Sequence, residues 1–468
     1  MINFLNFKSL NFKSFNHPVL ILRVLLKIRV QGIKSLNFKS LNLKLLTLSF
    51  LLFSFVNCFA QSPTDLPTIN KVYAEGIHSV KLTPVGIDFG QPVMQLNSNE
   101  KLVLTFDDLL QKDRYLKYTL IHCSHNWNYS PLNQIEYLDG FTEDMISDYA
   151  FSFNTIVPYT RYKLVFPTAE MRITKSGNYL LVVYDDNINK PVLTRRLMVL
   201  DRLQANIKPN ITWAQDVQFR STKQQVDFKA YTGSYTIRNP AMYLHATILQ
   251  NGRWDNAIEG LTYRNAKSGE YDFSFDNLNR NVFNGGNEFR TFDIRTLRTP
   301  ADRITSVNFN NRINQAYVME DLARPWGAYV TNTTLRGYCI YANRDFAGQN
   351  TEDYVLVHFT LRCDFQVEEG DLYVFGELTD WQINPKAKLT FNPQNNYWET
   401  NFYLKQGYYN YIYVFVPKKK GAKKIDETYI EGSHWQTQNS YTILLYLQEE
   451  GTSYDKLIGV TTTSINEK

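Results

Sequence analysis

The chain has 468 residues, of which 44% are hydrophobic and 15% aromatic, so it is too long for one ordinary domain and too apolar for a disordered protein. Residues 1–60 contain eight of the 50 Lys and Arg and none of the 45 acidic residues, which leaves 42 basic and 45 acidic side chains in the remainder. This near-neutral remainder lacks the surplus positive charge that phosphate recognition needs, which argues against a nucleic-acid-binding protein.

The N-terminus carries an export signal. Leu45 to Val56 form a 12-residue apolar run, which is too short to span a bilayer and is typical of a signal-peptide core. We place cleavage after Ala60. A lipoprotein signal with Cys58 as the modified residue is the alternative, but Asn57 before it is bulkier than the small residue usually found there.

A near-exact repeat precedes that signal, with Ser9 to Ser14 recurring as Ser35 to Ser40. A repeat without a core of its own indicates an over-called start site, so residues 1–60 are interpreted as an over-called extension plus the signal peptide. An amphipathic membrane anchor around Val19 to Val30 is the alternative, although three basic residues interrupt it.

The mature chain alternates apolar and polar residues over short runs, with turn residues between them. Runs such as Tyr179 to Tyr184 are rich in β-branched and aromatic residues, which predicts an all-β chain of tandem β-sandwiches of the immunoglobulin-like or early-set kind. We expect three of them, at residues 72–201, 207–363 and 365–460. Strand–helix alternation is absent, which disfavours a Rossmann or barrel enzyme.

The residues that could carry chemistry are sparse. His122, Cys123 and His125 follow one another at a strand end, where alternation sends neighbours to opposite faces, so we expect no metal site. Carboxylate pairs such as Asp107-Asp108 are interpreted as solvated turn residues, because neighbours on a strand do not face one substrate atom. No nucleophile elbow or phosphate loop occurs, so neither catalysis nor a cofactor is predicted.

Two further features have open interpretations. Cys339 and Cys363 lie on predicted strands and could pair in an exported protein, but buried free thiols are the favoured state. The lysine-rich run at 418–424 is interpreted as a solvated hairpin tip, with contact to an anionic surface as the alternative.

Residues 77–200 resemble the N-terminal domain of the plug protein of the Bacteroidota type IX secretion system. The segments that carry the resemblance are Ile77 to Leu82, Leu96 to Leu102, Leu104 to Leu109, Thr119 to Cys123, Tyr137 to Phe141, Tyr149 to Thr155, Tyr159 to Tyr162, Ser176 to Leu181 and Pro191 to Arg196. The family implies a non-catalytic periplasmic protein that docks beneath a giant outer-membrane β-barrel translocon and closes its periplasmic mouth.

The predicted third domain is similar to early-set sandwiches of the glycogen-binding type, in Val374 to Trp381 and Tyr397 to Glu399. In sugar-binding members the tryptophan matching Trp381 stacks on a glucose ring. Here Ile412 stands where those members place a sugar-contacting lysine, and the second platform tryptophan has no clear match. Trp381 is therefore interpreted as a packing or interface residue, and Trp398 as a core residue.

We expect the translocon-binding surface in the first domain, where exposed loop aromatics are the usual anchors of such an interface. Trp127 is the candidate contact, because its loop has no obvious core partner in the sequence. The competing functions are a periplasmic glycan-binding module, with Trp381 as platform, and the accessory part of a carbohydrate-active enzyme.

Overall fold

The computed structural model describes residues 66–111, 114–201, 205–233, 235, 237–309, 312–419 and 425–465. The predicted signal peptide, the N-terminal repeat and most of the lysine-rich hairpin lie outside these residues. Among those described, no helix is long and apolar enough to cross a membrane.

Strands are almost the only regular secondary structure between residues 66 and 201, as the alternating pattern predicts. One four-residue helix, α1 (Gln134–Tyr137), interrupts them. The strands are β1 (Lys71–Val72), β2 (Ile77–Pro84), β3 (Val93–Gln95), β4 (Leu102–Asp108), β5 (Lys117–Cys123), β6 (Leu138–Gly140), β7 (Glu143–Met145), β8 (Asp148–Phe151), β9 (Thr160–Phe166), β10 (Met171–Ile173), β11 (Gly177–Tyr184) and β12 (Pro191–Leu200).

The remainder contains nineteen strands within the described residues, β13 to β31. They are β13 (Asn206–Trp213), β14 (Lys223–Tyr231), β15 (Leu244–Gln250), β16 (Ile258–Leu261), β17 (Asn265–Lys267), β18 (Glu270–Asp272), β19 (Val282–Asn284), β20 (Arg290–Asp293), β21 (Ile304–Asn308), β22 (Asn314–Val318), β23 (Asp321–Leu322), β24 (Cys339–Tyr341), β25 (Tyr354–Arg362), β26 (Gly370–Phe375), β27 (Thr390–Asn392), β28 (Tyr397–Lys405), β29 (Gly407–Pro417), β30 (Ser440–Gln448) and β31 (Asp455–Ser464). The helical turns are α2 (Pro240–Tyr243), α3 (Thr428–Glu431) and the 3₁₀ turns Asp276–Leu278, Glu377–Thr379 and Pro385–Ala387.

One ten-stranded sheet runs through the molecule in the order β16-β15-β30-β31-β12-β11-β5-β7, with β1 and β3 also paired to β12. A four-stranded sheet, β2-β4-β9-β8, packs on its β12-β11-β5 end and encloses the first core. A five-stranded sheet, β13-β14-β18-β17 with β19, packs on the β15-β30 end and encloses another. In both sandwiches, burial of the apolar side chains between the two sheets stabilises the packing of one sheet on the other.

A third sandwich lies between residues 290 and 417. Its six-stranded sheet, β21-β22-β25-β28-β27 with β23, packs on strands β20, β29, β24 and β26. The shared core is aromatic and includes Phe292, Phe359, Tyr409 and Tyr411, all fully buried. The three sandwiches form one compact unit from Asp65 onward.

The structure therefore differs from the predicted division of residues 207–363 and 365–460. The C-terminal hairpin β30-β31 returns to pair with β15, and β28 pairs with β25 across the predicted boundary. The second sandwich is thus built from two distant parts of the chain, with the third inserted between them. Alternation identifies strands but carries no information on such non-local pairing, so the sequence boundary at 363–365 is wrong.

Candidate docking surface

Trp127, the predicted contact residue, is buried. It is 2% exposed and meets Trp254 edge to face, with ring centroids 5.0 Å apart. The guanidinium of Arg196 lies over both rings, at 4.3 and 4.7 Å from their centroids. Burial lowers the pKa of Arg196 to about 10. The premise that this loop lacks a core partner is wrong, because Arg196 on β12 and Trp254 in the loop after β15 both contact Trp127. Trp127 thus joins the first sandwich to the second.

Trp381 is also a packing residue. Its ring meets Phe289 and Phe375 edge to face, and the guanidinium of Arg253 covers it at 4.8 Å. Gly337 lies so close that a Cβ there would be 2.3 Å from the indole. A sugar ring therefore could not stack on the face that Arg253 covers. Trp398, interpreted as a core residue, is only partly buried and packs at the margin of the third core.

The histidines at the end of β5 point in different directions. His122 is 1% exposed, its Nε2 lies 3.0 Å from the Ser176 carbonyl oxygen, and burial lowers its pKa to about 4. His125 Nδ1 lies 3.0 Å from Asp455 Oδ2, and its ring stacks on that of His245 with centroids 4.2 Å apart. No group of three or more His, Cys, Asp or Glu within the described ranges is arranged to hold a metal ion.

The cysteines of the described chain are free thiols. Cys123 and Cys339 are buried, and Cys363 is partly exposed. Burial raises the pKa of Cys123 to about 12 and that of Cys363 to about 11. Such thiols are poor nucleophiles at neutral pH.

The carboxylate pair Asp107-Asp108 is fully buried, which corrects the interpretation as solvated turn residues. Asp107 Oδ2 accepts hydrogen bonds from Lys405 Nζ at 2.6 Å and from the Tyr354 hydroxyl at 2.8 Å. The Lys405 side chain is also 0% exposed, and its ammonium lies 4.1 Å from the centroid of Tyr159. Burial lowers the pKa of Lys405, and the nearby Asp107 opposes that shift. This ion pair ties the first sandwich to the third.

An exposed aromatic strip lies elsewhere on the first sandwich, along strand β8. Tyr149, Phe151 and Phe153 are 56%, 67% and 72% exposed. β8 is the last strand of its four-stranded sheet, and within the described chain only β9 pairs with it. We call residues Asp148 to Phe153 the β8 edge.

The aromatic side chains of the β8 edge face the interior side of their sheet. Tyr149 stands opposite Tyr162 and Phe151 opposite Thr160, and both partners are buried. Residues directly opposite in an antiparallel pair share a face, so Tyr149 and Phe151 extend the core beyond the cover of the other sheet. The Tyr149 ring lies 5.9 Å from that of Tyr162. The chain passes from β7 in the ten-stranded sheet to β8 in the other within two residues, and the Tyr149 and Phe151 side chains beyond this crossing are exposed.

The strip continues toward the third sandwich. Ile156, Phe309 and Phe346 are 40%, 66% and 47% exposed and line a cleft of about 340 Å³. Asp353 fixes the first-sandwich side of this cleft by accepting the backbone N–H groups of Ile156 and Val157 at 2.9 and 3.0 Å. Large exposed apolar strips on soluble proteins mark interaction surfaces.

The comparisons with known proteins agree with this architecture. Residues 77–201 match the model of the family described as Type 9 secretion system plug protein 1st domain. A crystal structure of a hypothetical protein from Parabacteroides merdae is similar at 29% identity with a TM-score of 0.80, covering 86% of this chain and all of that one. A structure of three N-terminal domains of the bacteriophage RB49 outer capsid protein Hoc covers 82% of this chain and 96% of that one, at 10% identity. Its TM-score is 0.13.

No curated protein matches the chain. The family match spans the β8 edge and all the segments on which the sequence resemblance depends, whereas the early-set resemblance of the predicted third domain is not confirmed. The resemblance to type 9 secretion system plug proteins is thus confirmed over residues 77–201, the first domain of this chain.

Proposed function

We propose that this protein is an exported periplasmic plug that docks on the outer-membrane translocon barrel of the type IX system and closes its periplasmic opening without catalysis. The family match over residues 77–201 is the observation that carries the proposal. A wide water-filled barrel would leak small solutes when no cargo passes. A folded body that fills the opening prevents that by its bulk and its interface.

The rigidity of the body supports this role. The junction between the first and third sandwiches holds the buried Asp107–Lys405 pair, and that between the first and second holds Trp127, Arg196 and Trp254. The ten-stranded sheet also runs through the first two sandwiches. A stopper assembled from loosely tethered domains would yield to solute flow, whereas these buried contacts hold the sandwiches against one another.

The β8 edge supports a docking role. It offers three aromatic side chains that are more than half exposed, and it lies within the segment that matches the plug family. Aromatic residues that act as hot spots of an interface each contribute about 2 kcal/mol or more to the binding free energy when they fill a pocket of the partner. We therefore assign translocon contact to this edge in place of the buried Trp127.

The glycan-binding alternative receives less support, because the Trp381 ring is occupied by Arg253 and two aromatic neighbours. A glycoside hydrolase would need two carboxylates that face a common cleft, whereas Asp107 is held in a buried ion pair with Lys405.

A pull-down tests the proposal. Tagged mature protein, incubated with detergent-solubilised outer membrane, should recover one very large barrel protein. Tyr149→Ala with Phe151→Ala should reduce recovery at least tenfold, while Trp326→Ala, which removes an 81% exposed aromatic on the third sandwich, should not. Failure of the wild-type protein to recover any barrel would overturn the proposed function.

A further inference from the structure

The backbone of the β8 edge has a defined hydrogen-bonding direction. The N–H of Ser152 donates to the carbonyl of Tyr159 at 2.9 Å, so residue 152 belongs to a hydrogen-bonded pair with β9. Such pairs alternate along an antiparallel ladder with pairs whose backbone groups point away. Because Tyr149 stands opposite Tyr162 and Phe151 opposite Thr160 in the same register, the N–H and C=O groups of Tyr149 and Phe151 point outward.

One of the outward-pointing N–H groups of the β8 edge already has a hydrogen-bond partner. The N–H of Phe153, the next residue of that parity, donates to the carbonyl of Asn350 at 2.9 Å. Asn350 lies in the third sandwich between β24 and β25, so this segment already accepts one hydrogen bond on the outer side of the β8 edge. Among the described residues, no strand pairs with this outer side at Phe151 and Tyr149.

We propose that an extended segment of the translocon barrel protein adds to the β8 edge as the fifth strand of the β2-β4-β9-β8 sheet. The identity of this partner rests on the proposed function. An extended chain satisfies a row of outward N–H and C=O groups, which a helix cannot do because its own backbone groups are paired internally. The added strand would lie beside the hydrogen bond that the Asn350 carbonyl already accepts from Phe153.

The surroundings define the chemistry of this segment. Its residues opposite Tyr149 and Phe151 would lie on the interior side of the sheet, so they should be apolar and cover the open edge of the sandwich. Asp148, the first residue of this edge, is 65% exposed and pairs at 3.9 Å with Lys163, whose side chain is 52% exposed. Such an exposed pair is weak and presents both charges to solvent, so a charged residue beside the apolar positions of the segment can replace either partner.

Substitution by proline separates backbone pairing from side-chain contact. Phe151→Pro removes an outward N–H and the ring, whereas Phe151→Ala removes the ring alone. Proline is tolerated on an edge strand where its nitrogen faces away from the ladder. Strand addition predicts that Phe151→Pro lowers recovery of the barrel protein at least tenfold below Phe151→Ala. Equal recovery by the two variants would overturn strand addition while leaving the proposed function intact.

Amide hydrogen exchange tests the same proposal on the wild-type protein, so its result does not depend on whether a substituted protein folds. Exchange at Tyr149 and Phe151 should slow at least tenfold in the complex with the barrel protein. Unchanged exchange at both amides in a formed complex would refute the proposal. A second copy of this chain is the rival occupant. If the wild-type protein doubles its mass in light scattering and Phe151→Pro abolishes the dimer, the edge serves self-association instead.

Discussion

The buried ion pair between Asp107 and Lys405 gives the most quantitative test of how the body is held together. Both side chains are 0% exposed and lie 2.6 Å apart. Lys405→Met would leave the Asp107 carboxylate buried with the Tyr354 hydroxyl at 2.8 Å and Arg161 at 3.7 Å. Removing one partner of a buried ion pair lowers the free energy of unfolding by about 3–5 kcal/mol. Because Arg161 still partly compensates the Asp107 charge, we expect a loss near the lower limit, about 3 kcal/mol.

The double variant Asp107→Leu with Lys405→Met is the matched control. It removes both charges, and the Tyr354 hydroxyl keeps Ser79 Oγ as a partner at 2.6 Å, so we expect stability within about 1 kcal/mol of wild type. The assay is urea unfolding of the mature protein followed by tryptophan fluorescence. A loss below about 1 kcal/mol for Lys405→Met, or a double variant as unstable as the sum of the single variants, would refute the reasoning.

Three further predictions follow from other contacts. Burial and the stacked His125 lower the pKa of His245, so the unfolded chain binds a proton below about pH 6.5 that the folded chain resists. Thermal stability should therefore fall between pH 7.5 and 5.5, and less steeply in His245→Gln; parallel profiles would contradict this. Trp127→Ala should cost about 3–5 kcal/mol in urea unfolding because it opens a cavity beside Trp254, and a change below 1 kcal/mol would show that the loop is not anchored there. A thiol reagent at pH 8 should modify at most one of Cys123, Cys339 and Cys363 in the folded protein, namely Cys363, and all three in guanidinium. Fast labelling of two of these thiols in the folded protein would contradict the burial of Cys123 and Cys339.

The sequence predicts strand content well because alternation and β-branched residues report directly on a half-buried pleated surface. Runs such as Tyr179 to Tyr184 and Lys101 to Phe106 are strands in the structure or lie mostly within them. The sequence does not predict which strands pair with one another. Nothing in residues 440–464 indicates that they pair with β15 rather than with their sequence neighbours, so the boundary between the second and third domains could not be derived.

The docking residue illustrates the same limit. The sequence predicts an exposed Trp127 because its loop has no obvious core partner, yet Arg196 on β12 and Trp254 in the loop after β15 contact it. The alternating aromatics Tyr149, Phe151 and Phe153 were visible in the sequence, where they form one of the blocks of the plug resemblance. Their exposure arises because no strand of the described chain covers this edge of the sandwich, which no local pattern encodes.

The central claim is that this body closes the translocon by occupying its opening. The direct test is uptake of a small hydrophilic dye by three strains of the source bacterium: parent, a deletion of this gene, and the deletion complemented with Tyr149→Ala and Phe151→Ala. We predict slow uptake by the parent and faster uptake by both other strains, with the variant protein present at normal abundance. An envelope in the deletion strain as impermeable as that of the parent would contradict the account.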